Sequence, residues 1–296
     1  MSVSLAYFVV VLIWSTTPLS IVWSAESVSP TLAVLSRMLI AVVIGAGIIR
    51  LRNIHLPWHK QALKLYGFSA LGIYGGMIFS YMAASYISSG LMSLIFGLAP
   101  VFSAILSQKI LDEPKLTQMK KISMGISLMG LAVVCSGSIS FDNNSQIGLV
   151  YILVAVLFFS FSGVLVKSVK INIHPVATTV GSLMTSLPLF AFTWLAMDGT
   201  LPIDKWQARS LWAILYLGLF GSLLGFVAYF YVLQKLNAST VALITMMTPV
   251  LAMSLGVYLN DEIVTMPLVI GAFFVMSGLA LYHWGDQMFS DKFIIK

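Results

Sequence analysis

Charge is what this sequence has least of. Only 9% of its 296 residues are Asp, Glu, Lys or Arg, against roughly 25% in soluble globular domains. So few charges cannot cover a water-facing surface, which excludes an ordinary soluble protein. Cysteine is nearly missing too. The one present, Cys135, excludes an intrachain disulfide and, inside an apolar run, reads as a small packing residue. No Lys or Arg precedes the first apolar run, and the first basic residue is Arg37. A cleavable leader needs a basic n-region, so residues 4–24 are expected to remain as a helix. There is no HExxH pair, no GxSxG and no Cys/His cluster, so neither a metal nor a cofactor is expected. The chain does not read as an enzyme, and it lacks the filter-like loop or charged ring of a channel.

What is there is apolar sequence. Hydrophobic residues make up 59% of the chain. Ten apolar runs follow one another, at 4–24, 30–49, 65–85, 90–108, 121–138, 148–167, 175–196, 210–234, 238–258 and 266–284. Each is near the roughly 20 residues that a helix needs to cross the hydrocarbon. The fold class expected is an all-α membrane protein with ten transmembrane helices. The connections are too short for a soluble catalytic domain.

The net charge of +6 does not point to nucleic acid, because its distribution follows the runs. With the N-terminus inside, the inner connections carry Arg50, Arg52, Lys60, Lys64, Lys109, Lys115, Lys120, Lys121, Lys167, Lys170, Lys235, Lys292 and Lys296. The outer ones carry Lys205 and Arg209 alone. The positive-inside rule therefore places both termini in the cytoplasm. The partners expected are the lipid bilayer and a small-molecule substrate.

One phrase occurs twice. LIFGLAPVFSAILSQKILDE ends at Glu113, and LITMMTPVLAMSLGVYLNDE ends at Glu262. Each has a proline thirteen residues before the final Glu, Pro100 and Pro249. At an offset of 149, residues 85–113 match 234–262 at Leu94, Ile95, Pro100, Val101, Leu106, Asp112 and Glu113. Five helices per half is odd, so the second copy enters the membrane from the opposite side. The linker after Glu113 is rich in Lys while that after Glu262 has none, as inversion requires. The expected organisation is a first repeat at 1–138, an external linker at 139–147 and a second repeat at 148–296. Inverted repeats around a central cavity are how secondary transporters are built.

The stretch LLGFVAYFYVLQKLNASTVALITMMTPVLAMSLGVYLNDEIVTMPLVIGAFFVMSGLAL resembles the EamA-type signature of the drug/metabolite transporter superfamily. That signature has a glycine-rich helix ending in paired aromatics, a polar turn, a helix with a central Pro closed by Glu, and a helix with two spaced glycines. In the first half, Trp14-Ser15 sits where the family has Trp-Gly, and SRMLIA at 36–41 sits where it has an Arg before apolar residues. Ser15 departs from the pattern, as does Ser123 where the second repeat has Gly271. The resemblance implies a cavity lined mainly by the first, third, fourth, sixth, eighth and ninth helices. It also implies carriage of small metabolites, often amino acids or their analogues, commonly outward. A non-transporting role in membrane biogenesis and an intramembrane enzyme are the alternatives.

Ionisable groups inside a membrane default to functional candidates. The carboxylates and histidines all lie at or beyond the ends of the runs, so exchange or facilitated diffusion is at least as well supported as proton antiport. Only Arg37 is well inside, about seven residues or ~10 Å from the outer end of its helix. It either attracts a substrate carboxylate or serves structure, for example by pairing with Glu26. Trp14 and Thr17 lie three apart on the first run; Tyr74, Met77 and Tyr81 share a face of the third. With Tyr229 and Met246 they form the candidate substrate-binding set, suited to a small amphipathic or aromatic solute. Pro100 and Pro249, each expected mid-helix, are the candidate bending points. Glu113 and Glu262 are expected to cap the helices that follow them.

Overall fold

The computed structural model describes residues 2–113, 115–139, 145–236 and 238–290. Residues 140–144 of the linker, Lys292 and Lys296 lie outside the described residues, and the side chains of Cys135 and Met246 lie outside the described side chains. Among the described residues there are twelve α-helices and no strand. They are α1 (Val3–Ser24), α2 (Pro30–Leu51), α3 (Lys60–Ala84), α4 (Ser89–Phe96), α5 (Ala99–Ile110), α6 (Gln118–Ile139) and α7 (Ser145–Ser168). Then come α8 (Pro175–Met197), α9 (Ala208–Tyr216), a π-helical segment (Leu217–Leu224), α10 (Gly225–Lys235), α11 (Ala238–Asn260) and α12 (Met266–Ser290). Eight of the helical spans are long and apolar enough to cross a membrane. The helices α6 and α11, of 22 and 23 residues, complete the long helices among the described residues.

The ends of these helices follow from local chemistry. Ser2 Oγ accepts from the Leu5 N–H at 3.2 Å, and Ser88 Oγ accepts from the Leu91 N–H at 3.4 Å. Both are hydroxyl caps satisfying donors that have no intrahelical partner. Pro30 and Pro175 open α2 and α8, where a missing N–H costs nothing. After α5 and α11 the chain turns through Asp112 (φ 51°) and Asp261 (φ 49°). The repeated Asp-Glu therefore has the same local form twice. Asp tolerates the left-handed region, and the turn sets the direction in which the following Glu leaves the helix.

Two runs expected as single regular helices are interrupted. Residues 90–108 divide into α4 and α5, so Pro100 is not mid-helix but in the first turn of α5. Its ring has no N–H and clashes with the carbonyl four residues back. The chain responds by tightening at Gly97, whose N–H reaches the carbonyls of both Ser93 and Leu94 at 3.1 Å. Pro249, its match in the second half, lies inside the unbroken α11. The run 210–234 carries the π-helical segment between α9 and α10.

The two sequence halves interleave. In the first half α2, α3, α5 and α6 pack on α8, α7, α7 and α12 of the second, while α1 runs between α4 and the α9–α11 stretch. With no hydrophobic drive between helices in lipid, small residues set how closely they approach. A Cβ on Gly130 of α6 would lie 2.7 Å from the Gly271 carbonyl of α12, and one on Gly278 would lie 2.7 Å from the Ser123 carbonyl. Helices α6 and α12 thus meet backbone to backbone.

Candidate functional site

A cavity of about 70 Å³ lies where helices of both halves converge. Waters need roughly 10–15 Å³ each on this measure, so it admits several waters or a small solute group. Helix α1 supplies Trp14, Thr17, Pro18 and Ile21; α3 supplies Met77 and Ser80; α4 supplies Met92, Ser93 and Phe96. Arg37 reaches it from α2. The second half closes it with Phe159 from α7, Gly221 from the π-helical segment, Phe226 from α10 and Thr248 from α11.

The hydroxyl groups at its wall are aligned by their own helices. Thr17 Oγ1 donates to the Ile13 carbonyl at 2.7 Å, and Ser80 Oγ donates to the Gly76 carbonyl at 2.6 Å. Such back-bonding is how a hydroxyl is satisfied in an apolar helix. Its consequence is that these two groups face the cavity with lone pairs. Pro18, inside α1, brings no N–H to the Trp14 carbonyl.

Arg37 dominates the electrostatics. It is fully buried. Its Nε donates to Ser222 Oγ at 2.9 Å, and its Cζ lies 5.9 Å from the centre of the Tyr81 ring. Among the described residues the other two guanidinium nitrogens have no hydrogen-bond partner. The pairing with Glu26 does not occur, because Glu26 is taken by Arg209, whose Nε and a terminal nitrogen reach its carboxylate at 2.8 and 2.7 Å. Space for the guanidinium comes from Gly221, where a Cβ would lie 2.9 Å from it. The π-helical segment presents Gly221 and Ser222 together. A single π turn inside an α-helix is frequent at functional sites.

Of the sequence-derived candidates, the structure brings together Trp14, Thr17, Arg37 and Met77. Tyr81 stands behind them, fully buried, its hydroxyl 3.2 Å from Ser24 Oγ. Tyr74 turns away to α8. Thr193 Oγ1 donates to the Leu189 carbonyl at 2.9 Å, so the 2.6 Å contact has the Tyr74 hydroxyl donating to Thr193. Seven residues do return to one face of a helix, but that face of α3 meets several neighbours. Tyr229 lines a second cavity of about 20 Å³, separated from the first by Phe159 and Phe226, which line both. Trp14, Phe159 and Tyr229 form the partition, with ring centres 5.0 Å (Trp14–Tyr229), 5.7 Å (Trp14–Phe159) and 6.0 Å (Phe159–Tyr229) apart. Sequence reasoning missed Ser80, Ser93, Phe96, Phe159, Phe226, Gly221 and Thr248. Of these, Gly221 has a sequence signal, its close spacing with Gly218 and Gly225, which helix packing in lipid explains equally well.

At the end of the bundle beyond Arg37 the helices are tied across the halves. The Glu262 carboxylate accepts from the Ser89 N–H at 3.0 Å and the Gly90 N–H at 3.2 Å. It caps α4, not the helix that follows it. Trp23 Nε1 donates to Asn260 Oδ1 at 2.8 Å and links α1 to α11. The matching acid behaves otherwise: Glu113 accepts from Ser107 of its own α5, at 2.7 Å.

Many apolar helices, interleaved halves and a cavity between them bordered by a buried cation define a multi-pass membrane protein. The model of the EamA-like transporter family matches residues 1–136 and again 146–284. The chain belongs to the EamA-like transporter family. It is 26% identical over 267 residues to an uncharacterized transporter of Archaeoglobus fulgidus, covering 90% of this chain and 93% of that one. It is likewise 26% identical over 283 residues to the uncharacterized transporter YoaV of Bacillus subtilis, with coverages of 94% and 95%. A solved crystal structure superposes with a TM-score of 0.68 over 95% of this chain and 96% of the other, at 19% identity, a likeness of fold.

Proposed function

We propose that this chain is a secondary carrier that moves small amphipathic metabolites, amino acids or related aromatic compounds among them, by alternating access. The reading has ten transmembrane helices in two inverted five-helix repeats, both termini cytoplasmic, in a bacterial cytoplasmic membrane. Outward carriage follows the resemblance. The observation that carries the proposal is the cavity itself: one buried cation and apolar walls, assembled from helices of both repeats.

The mechanism follows from how the matched elements differ. Inverted repeats supply two near-equivalent packings, one open to each side. Asp112 and Asp261 share a backbone form, yet Glu262 accepts from backbone N–H groups of α4 while Glu113 accepts from Ser107 of the α5 that precedes it. Pro100 sits at a helix break, and Pro249 sits within a helix. One repeated sequence in two local structures is what a two-state carrier requires. In this state Glu262 and the Trp23–Asn260 bond hold the outer end closed.

The test is solute movement by the purified protein in sealed proteoliposomes. Protein-dependent, saturable flux of a small metabolite is expected. Vesicles no more permeable than empty liposomes to a broad metabolite mixture, in both directions, would set the reading aside in favour of a biogenesis role.

A further inference from the structure

We infer that the cavity selects the monoanion of an organic acid with an apolar body, and discriminates against zwitterions and amines of the same shape. This narrows the carrier reading from amino acids and related compounds to their anionic relatives without an amino group, and rests on it for the cavity being the solute site. Arg37 is fully buried, and two of its guanidinium nitrogens lack a hydrogen-bond partner among the described residues. A buried charge left unpaired is costly, and a carboxylate meeting both nitrogens in bidentate fashion removes that cost.

The rest of the site determines how much charge the solute brings. Among the described residues no Asp or Glu lines the cavity. Among the described residues the ion pairs are Arg209–Glu26 and Lys120–Asp286, neither of them at the cavity. Residues 238–247, whose helix borders it, contain no acid in their sequence. An ammonium group entering with the carboxylate would find no counter-charge. A dianion such as a phosphate monoester would bring two negative charges to one guanidinium. The lone pairs of Thr17 and Ser80 and the faces of Trp14, Phe96 and Phe159 accommodate a neutral remainder.

Three compounds on one skeleton test this: 3-phenylpropionate, phenylalanine and 2-phenylethylamine, that is anion, zwitterion and cation. Binding is read from the ligand-dependent rise in melting temperature of the full-length protein in detergent. We expect 3-phenylpropionate to bind at least about tenfold more tightly than either of the others, the scale of a charge-assisted hydrogen bond. Arg37→Gln abolishes the preference, and Arg37→Lys keeps it at lower affinity. Phenylalanine or phenylethylamine binding as tightly overturns the inference. So does a preference that survives Arg37→Gln, or no stabilisation by millimolar 3-phenylpropionate. The wild-type series decides even where Arg37→Gln fails to fold. Anion-selective binding without flux of any solute would overturn the carrier reading and leave the anion site standing.

Discussion

Glu262 is the group whose removal speaks most directly to the proposed closure of the outer end. Its carboxylate accepts from two backbone N–H groups at the start of α4, a helix of only eight residues. Glu262→Ala leaves both donors unpaired. Losing a side-chain cap costs about 0.5–2 kcal/mol. Glu262 is partly exposed, and water can replace it once the seal loosens, so we take about 1 kcal/mol. That corresponds to roughly fivefold in the ratio of closed to open forms. The assay is a single cysteine at Ser80, which lines the cavity, in a Cys135→Ser background, with an impermeant maleimide applied from outside. Where opening is fast relative to labelling, the rate follows the open population, so Glu262→Ala should label about five times faster. Glu113→Ala should not, because among the described residues its hydrogen bond is to Ser107 of the preceding α5 and none reaches α4. Equal rates for wild type and Glu262→Ala, in proteins of equal melting temperature, would refute the reasoning.

Three further outcomes are expected. Pro249→Ala restores a backbone donor inside α11 and should leave solute binding intact while slowing turnover; Pro100→Ala, at a pre-existing helix start, should change turnover less, and equal wild-type turnover in both would make the prolines static shape. Gly278→Leu forces α6 and α12 apart where a Cβ would already lie 2.7 Å from backbone, so the folded yield in detergent should fall by the equivalent of about 1–3 kcal/mol for overpacking, whereas Gly47→Leu, which has open space, should leave it unchanged. For topology, Asn143→Cys should react with the impermeant reagent from outside and Lys115→Cys should not; the reverse pattern overturns the orientation.

The membrane class and the family were legible in the sequence because composition and run length depend on no tertiary contact. Arg37 was legible because a lone charge in an apolar run stands out whatever its neighbours. Its actual partner, Ser222, was not, since the two are far apart in sequence and only the packing of α2 on the π-helical segment joins them. The repeat showed that Glu113 and Glu262 match but not that they differ, because the difference lies in which donors each carboxylate meets in the folded chain. Tyr74 failed as a cavity residue since seven-residue spacing names a face and not the neighbour it meets. The π-helical segment left only its glycines as a trace, and packing explains glycines in lipid equally well.

The central claim is that a small solute passes through the cavity between the repeats. The measurement that meets it most directly is a metabolite profile of the medium of cells producing the wild-type chain, a Ser93→Trp variant that fills the cavity, or neither. The account predicts one or a few small amphipathic solutes enriched outside wild-type cells and at background with Ser93→Trp, the two proteins being present at equal levels. Identical profiles from wild-type and empty cells, or an enrichment that persists with the cavity filled, would contradict it.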